Sequence, residues 1–453
     1  MAASIIKTPS TLQISLSDPQ NSNTAATAVH HWTRAEKRAW TIALFTGTAI
    51  TYAARNAIPL CAVALSKEFS WNKTETGLIL SSFFWGYALT QILSGYISDR
   101  YGGDYIVTLA AMCWGALTLL TPYLAYMYED KSSQLKCLVF LRVIYGALQA
   151  FHYPSMTSLM GRKVDKSCKS YVYTTVISGT YAGNLLSGSL GSIVLSYYDW
   201  HRVFYIFGTC AILWALMVRI YLMKQRLNIR LFYNGIIKTP EDVLNHSDTL
   251  SPSSVPWRAL ARHPGFWAMV LGHFCLNYTF FLLFSWLPTY FTEKYPEEKG
   301  WVFNVVPWIV SIPSSIATGY VADSLVSFGY TVTTARKCIH TIASLGIIVC
   351  LILIGQSEYY NASLTFAATA LVFQSFSNAG VLTNPQDIAP QWAGSVFGVM
   401  NTAGAMPGFI GVYITGHILE YTQSWATVFG SASCVVATGW VIFMLFGTGS
   451  RII

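Results

Sequence analysis

Arg55 lies within the apolar stretch 41–65 and Arg142 within 138–156, where no neighbour in sequence can neutralise a charge. A guanidinium near the middle of a bilayer costs about 2.5 to 3.5 kcal/mol, so such residues face a watery path and take an anion as partner. Arginine suits multivalent oxyanions, because its planar fork offers two parallel charge-assisted hydrogen bonds and stays protonated. On a helix Arg142, Gly146, Gln149 and Tyr153 recur at i, i+4, i+7 and i+11, one polar face on which Arg142 and Gln149 stand about 10 Å apart. Tyr52, Arg55, Asn56 and Pro59 form a similar face in the preceding stretch. The competing reading is that each arginine pairs with a carboxylate and only ties helices together. No Asp or Glu lies well inside any apolar stretch, and the nearest, Asp99, Asp323 and Glu420, fall at ends. The positive charge is therefore left for a substrate. Arg219 sits within a turn or two of a span end and can snorkel to the interface.

Other polar residues within the spans are less specific. His152 and His273 could titrate in an acidic compartment, but each reads better as a hydrogen-bonded packing ring. Asn277, Asn304, Gln374, Asn378 and Asn401 serve as glue between helices or as cavity donors. Of the aromatic residues, 15% of the chain, many belong to interfacial belts. Trp85 and Trp308 lie well inside spans and are candidates to stack on a nucleobase. An intramembrane transferase would need a nucleophile, base or metal cluster converging in the spans. His152 and His273 fall in different halves of the chain and no embedded His/Asp/Glu constellation accompanies them, so neither catalytic residues nor metal ligands are expected.

These residues need a bilayer scaffold to position them. The 453 residues are 53% hydrophobic and only 11% charged, with a mean hydropathy of +0.44, whereas soluble domains run near 25% charged. Stretches of about 20 apolar residues predict an all-α membrane protein of twelve transmembrane helices, over 40–65, 77–98, 105–127, 135–160, 171–197, 203–223, 265–291, 301–322, 338–356, 362–384, 393–419 and 424–446. An even number puts both termini on one side. With the termini cytoplasmic, that side holds 18 of the 28 Lys and Arg residues, as the positive-inside bias requires. The net charge of +8 is thus mostly topological, and nucleic acid is not an expected partner. The implied organisation is a disordered cytoplasmic tail (1–38), a six-helix half (39–223), a cytoplasmic linker (224–264), a second six-helix half (265–447) and a short tail (448–453). The stretch before Trp32 holds no apolar signal segment, so the first span must direct insertion. Sequons at Asn72 and Asn361 fall in loops expected on the non-cytoplasmic side, where glycosylation occurs, while Asn245 should face the cytoplasm and stay bare. Most of the nine cysteines lie within spans and read as small packing residues. A monomer is expected.

The two halves repeat. After span 2 the chain reads Gly95-Tyr96-Ile97-Ser98-Asp99-Arg100, and after span 8 Gly319-Tyr320-Val321-Ala322-Asp323, the same Gly-x-x-x-Asp at equivalent places of the two halves. The glycine allows close helix approach, and the aspartate can hydrogen-bond helix N-terminal amides or a nearby arginine on a closed cytoplasmic face. This resembles the loop signature of the major facilitator superfamily, and Tyr101-Gly102 continue it. Gly103-Asp104 departs from it, placing Asp104 where a cation is usual. The resemblance implies two six-helix halves with a substrate site between them near the bilayer midplane and gating loops at Gly95, Asp99, Arg100, Gly319 and Asp323.

Further stretches resemble one branch of that superfamily, the anion transporters that include vesicular glutamate transporters and sialin. They are Ser82-Phe83-Phe84-Trp85-Gly86-Tyr87 with Thr90-Gln91, Asn277-Tyr278-Thr279-Phe280, Leu287-Pro288-Thr289-Tyr290 and Asn401-Thr402-Ala403-Gly404. Phe69-Ser70-Trp71-Asn72-Lys73 and 300–308 are most similar to the nucleotide-carrying members. The resemblance implies that Arg55 and Arg142 match the family's anion-binding arginines of spans 1 and 4. Gln149 stands where the glutamate transporters and sialin carry a glutamate implicated in proton sensing, and Leu80 stands where those glutamate transporters carry a histidine. Both departures remove titratable groups. The implied function is a uniporter of ATP, and also ADP and GTP, driven by membrane potential, with chloride as activating ion and no other cofactor. A vesicular proton pump would supply the potential in secretory or lysosome-related vesicles. The expected site comprises Tyr52, Arg55, Asn56, Trp85, Arg142, Gln149, Tyr153, Asn277 and Trp308. Glutamate, sialate and phosphate remain alternative cargoes.

Overall fold

The computed structural model describes residues 32–71, 73–223, 255–297 and 301–453. The expected tail before residue 32, most of the linker (224–254) and the sequon residues Asn72 and Asn245 lie outside the described residues. The described residues form helices joined by short turns, with no strand among them. Each of the twelve expected spans is helical. Span 1 comprises Arg34–Arg55 and Ala57–Glu68, span 2 Lys73–Tyr101, span 3 Gly103–Ala125, and span 4 Lys131–Gln149 and His152–Lys163. Span 5 runs through Lys169–Leu186, Ser187–Gly191 and Ser192–Tyr197, and span 6 through Trp200–Met217 and Val218–Met223. After a short helix at Trp257–Arg262 come span 7 (Pro264–Lys294), span 8 (Trp301–Ser327), span 9 (Val332–Gln356) and span 10 (Tyr360–Ser377 with Asn378–Leu382). Span 11 (Ala393–Ala405, Met406–Gly408 and Ile410–Thr422) and span 12 (Trp425–Phe446) complete the second half.

Local chemistry sets the ends. Thr33 and Glu36 close a reciprocal capping box at the start of span 1, and Asp130, Thr331 and Ser424 each accept an amide of the first turn of spans 4, 9 and 12. Prolines explain two of the breaks. Pro59 and Pro154 cannot donate to the carbonyls of residues 55 and 150, and their rings clash there, so span 1 ends its first segment at Arg55 and span 4 breaks just past Gln149. Gly102 and Gly329 adopt φ of +97° and +94° in the turns after spans 2 and 8, a region that only glycine enters at no steric cost.

Nine of the described helices are long and apolar enough to cross a membrane by themselves. Spans 1, 5 and 10 fall short because they carry Arg55 and Asn56, a Ser/Thr/Gly-rich stretch, and Gln374 with several hydroxyls. These are spans that face polar partners inside the protein. The packing is pseudo-symmetric: spans 2 and 4, 1 and 5, and 3 and 6 pair in the first half, as 8 and 10, 7 and 11, and 9 and 12 do in the second. Across the halves span 2 packs on span 11 and span 5 on span 8. A large apolar core, including the fully buried Trp40, Trp114, Tyr290 and Phe429, runs through both halves, with a small second cluster at Ala322, Ile339 and Ala379. Both described chain ends lie on one face, here the terminal face: the Trp32 amide donates to the Lys163 carbonyl and the Ile452 amide to that of Ile388.

Candidate substrate-binding site

The break in span 1 delivers Arg55 to the boundary between the halves. Its Nε donates to Gln149 Oε1 at 3.0 Å, and its guanidinium carbon lies 4.5, 4.9 and 4.8 Å from the ring centres of Tyr52, Phe83 and Tyr87. Gln149 is itself fixed, donating to the Thr51 carbonyl at 3.2 Å and to the Tyr145 hydroxyl at 2.7 Å. The rings favour a cation by about 0.5 to 2 kcal/mol each, but no carboxylate completes the cage. Among the described residues the ion pairs lie elsewhere, as Lys131–Glu75, Arg162–Asp99, Lys169–Asp387, Arg336–Asp387 and His417–Glu420. Arg55 Nη2 has no hydrogen-bond partner among those residues. The cage therefore holds a positive charge with a donor to spare.

The neighbouring polar residues converge on this point from several spans. Asn56 Nδ2 donates to Asn184 Oδ1 (2.9 Å) and Ser187 Oγ (3.1 Å) of span 5, where a π-helical turn begins. Tyr153 and Thr180 share a hydroxyl hydrogen bond of 2.6 Å, and the Tyr153 ring lies between Tyr52 and Phe397 of the other half, 6.0 Å from each. Asn401 reaches across to donate to the Tyr87 hydroxyl at 3.2 Å. Trp308 stacks on Tyr181 across the halves at 6.3 Å and 27°, with Phe280 and Phe284 edge-on. Asn277 Nδ2 lies within 3.1 Å of the His273 ring nitrogens and donates to the His273 carbonyl. His152 packs as a bonded ring, with Thr48 and Thr51 hydroxyls at its two nitrogens.

Four expected placements differ. Arg142 is only 6% exposed and faces a cavity of about 20 Å³ among Ala54, Ile58, Thr118, Tyr145 and Phe204, inside the first half. It approaches the Arg55 cage through the rings of Phe83 and Tyr145, 5.1 and 5.5 Å from its guanidinium carbon, and its Nε has no partner among the described residues. Gly146, expected on the same polar face, packs against span 2, where a Cβ would strike the Phe83 carbonyl. A helical projection gives a common direction but not what lies there, and the break after Gln149 puts Tyr153 on a separate segment. Trp85 is 49% exposed, in line with the outward Leu78, Leu89 and Ile92, so it lies on the outer surface away from the cage. The second sequon also differs in setting from a loop. Asn361 occupies the first turn of span 10, and Ser363 is buried, its hydroxyl bonded to Tyr290 and Tyr295.

The repeated aspartates close the terminal face in equivalent ways. Asp99 accepts the Gly394 and Ser395 amides (3.2 and 2.7 Å) and the Ser395 hydroxyl (2.7 Å) at the start of span 11. Asp323 accepts the Ser170 and Tyr171 amides (3.1 and 2.7 Å) at the start of span 5. Each carboxylate thus caps a helix of the opposite half, where the macrodipole favours a negative charge. At Gly95 a Cβ would strike the Gly394 carbonyl, and at Gly319 the Thr174 hydroxyl. Arg162 bonds the Asp99 carbonyl and also the Gln391 carbonyl at 3.1 Å. Arg100 is exposed and donates to the Tyr96 hydroxyl, outside the latch.

A buried charge cluster beside Asp323 was not anticipated. Arg336 donates to Asp387 at 2.7 Å, to the Ser170 hydroxyl and to the Ala379 carbonyl. Lys169 lies 4.0 Å from Asp387 and donates to the Gln386 carbonyl. In sequence these groups counted only as cytoplasmic charge near span ends. The buried short helix Pro385–Ile388, which carries Asp387, has no signature of its own.

Two six-helix halves, joined by paired carboxylate latches at one face and meeting around an uncompensated cation, define a membrane transporter of the alternating-access kind. The sequence profile of the Major Facilitator Superfamily matches residues 44–412, and the chain belongs to that family. It is 40% identical over 432 residues to the voltage-gated purine nucleotide uniporter SLC17A9 of Mus musculus, covering 94% of this chain and 93% of that protein. To the Homo sapiens protein of the same name it is 39% identical over 422 residues, covering 93% and 94%. The chloroplastic sodium-dependent phosphate transport protein 1 of Arabidopsis thaliana is more distant, at 31% identity over 95% of this chain and 83% of its own. Among solved structures the proton:xylose symporter XylE superposes with a TM-score of 0.72 over 93% of this chain and 98% of its own, at 12% identity, a likeness of fold alone.

Proposed function

We propose that the chain is a purine nucleotide transporter that moves ATP, with ADP and GTP, from cytoplasm into secretory or lysosome-related vesicles. Its cargo would be driven by membrane potential and activated by chloride, with a vesicular proton pump supplying the potential. The observation that carries this reading is the Arg55 cage, a half-buried guanidinium with a spare, buried Nη2 donor and no carboxylate. Relatives named as purine nucleotide uniporters, aligned over nearly the whole chain, support the choice of anion. Arg55 would hold phosphate oxygens, with Asn56 and Tyr87 beside it. The Trp308–Tyr181 pair would offer the base an aromatic face. Arg142, close behind Phe83, would add positive potential. The charge bias supports a cytoplasmic position for the latched terminal face, and with that orientation this conformation would be the stage at which cargo leaves toward the lumen. Moving three or four negative charges toward a positive lumen yields roughly 7 to 9 kcal/mol per 100 mV.

The cargo is tested by competition. In liposomes under a fixed inside-positive potential, unlabelled ADP and GTP should suppress labelled ATP uptake, while phosphate, glutamate, sialate and ascorbate should not. Suppression by phosphate at equal concentration would transfer the site to the phosphate-carrying relatives. Trp308→Ala should raise the KM for ATP about tenfold, since stacking on one base contributes roughly 1 to 3 kcal/mol, with the maximal rate preserved and Trp308→Phe near wild type. Gln149→Glu places a carboxylate on Arg55 Nε. Uptake should then be low at neutral pH, where that carboxylate neutralises the cation, and should recover on acidification as it protonates. A pH-flat variant would separate Gln149 from the charge balance of the cage.

A further inference from the structure

The far face, opposite the chain ends, carries a second repeat. Trp200-His201-Arg202-Val203-Phe204 opens span 6 and Trp425-Ala426-Thr427-Val428-Phe429 opens span 12, the same Trp-x-x-Val-Phe at the same place in each half. Glu68, which ends span 1, and Glu293, one residue from the end of span 7, are separated along the chain by the same interval as the two tryptophans. In each half the indole N–H donates to the carboxylate: Trp200 Nε1 to Glu68 Oε2 at 2.6 Å and Trp425 Nε1 to Glu293 Oε2 at 3.0 Å. Sequence spacing and bond geometry repeat together, as they do for Asp99 and Asp323.

The surroundings fix these bonds. Phe69 packs edge-on to Trp200 at 6.2 Å, and Tyr126, just past the end of span 3, bonds Glu68 and stacks on His201. Desolvation and the Glu68 carboxylate push the Tyr126 phenol up to about 12, so it remains a donor. Trp425 packs against Tyr290 at 5.4 Å and Phe429 at 6.0 Å. Spans 1 and 7 carry Arg55 and Asn277, whereas spans 6 and 12 pack on spans 3 and 9. The cross-half hydrogen bonds named above lie at the terminal face or around the cage, and alternating access requires the far ends of the halves to approach when the terminal face opens.

We propose that the Glu68–Trp200 and Glu293–Trp425 bonds are paired clasps that hold the far ends of spans 1 and 7 against spans 6 and 12, keeping the far face open while the terminal face is latched. The asymmetry of roles is clear. The aspartate latches join one half to the other, and the clasps act within each half. The inference needs only the transporter fold, not the identity of the cargo.

Electron–electron resonance between spin labels at Lys67→Cys and Glu297→Cys, in a background lacking the exposed cysteines, reads the far-face separation without substrate. The double variant Trp200→Phe/Trp425→Phe removes the donors but keeps aromatic rings, and Glu68→Ala/Glu293→Ala removes the acceptors. Both should enlarge a shorter-distance population several-fold. Glu68→Gln/Glu293→Gln, which keeps a carbonyl acceptor, should resemble wild type. An unchanged distribution in either the Phe or the Ala pair overturns the proposal, as does a Gln pair that shifts as far as the Ala pair. Should the Phe pair fail to fold, the contrast between the Ala and Gln pairs decides alone.

Discussion

Arg55→Ala is expected to reduce nucleotide uptake to that of protein-free liposomes while leaving a folded, monodisperse protein. The two expectations follow from different parts of the energetics. A bidentate guanidinium contact to a phosphate contributes about 1.5 to 3 kcal/mol per charged hydrogen bond, so loss of the fork costs at least a hundredfold in transport at limiting substrate. Folding is another matter. In the substrate-free protein the half-buried guanidinium packs against rings and one amide, with no ion partner among the described residues. Its removal relieves the cost of burying a charge and leaves one Gln149 oxygen unsatisfied, a loss of about 1 to 3 kcal/mol. The terms oppose, so the melting temperature should move little. Arg55→Lys keeps the charge without the fork and should retain a small fraction of uptake. Wild-type uptake by Arg55→Ala would remove this cage from the substrate path.

The second large effect is expected at Asp99. Asp99→Ala leaves the Gly394 and Ser395 amides and the Ser395 hydroxyl without their acceptor and removes the 3.6 Å ion pair to Arg162, which keeps its two carbonyl acceptors. Hydrogen bonds to a charged group contribute about 1.5 to 3 kcal/mol, which converts to a shift of roughly ten- to hundredfold against the terminal-face-closed state. Asp323→Ala should act in the same sense through Ser170 and Tyr171. Labels across the terminal face should report a longer separation in both variants, with uptake slowed because closure has become rare. A distance distribution like that of wild type would show that the carboxylates cap helices without biasing the cycle.

Much of the scaffold was legible because hydropathy marks a bilayer span directly. All twelve expected segments are helical, including the polar spans 1, 5 and 10 that fall below the length and hydropathy needed to cross alone. The Gly-x-x-x-Asp repeat also announced itself, since two short motifs in equivalent places are hard to obtain by chance. The Glu and Trp-x-x-Val-Phe repeat was equally present in the chain, but its two parts stand far apart in sequence within each half. Its meaning appears only when the ends of spans 1 and 6 come together.

Azimuth was the weaker part. Inside a bilayer the lipid and the protein core are both apolar, so the outward line of Leu78, Trp85, Leu89 and Ile92 looks like a buried face. Polar residues share this ambiguity. Arg142 and Gln149 stand on one helical face, yet Gln149 meets Arg55 while Arg142 turns into a small cavity within its own half. Charges at span ends were read by their sum, which assigns a side to a loop but cannot reveal that Lys169, Arg336 and Asp387 meet in a buried cluster.

The uncompensated cation at the junction of the halves is expected to serve a polyvalent anion moved by voltage. Purified protein in liposomes, loaded so that valinomycin and a potassium gradient set an inside-positive potential, should take up labelled ATP with chloride present and no pH gradient. Uptake that is absent under the potential but appears with a pH gradient alone would contradict the account.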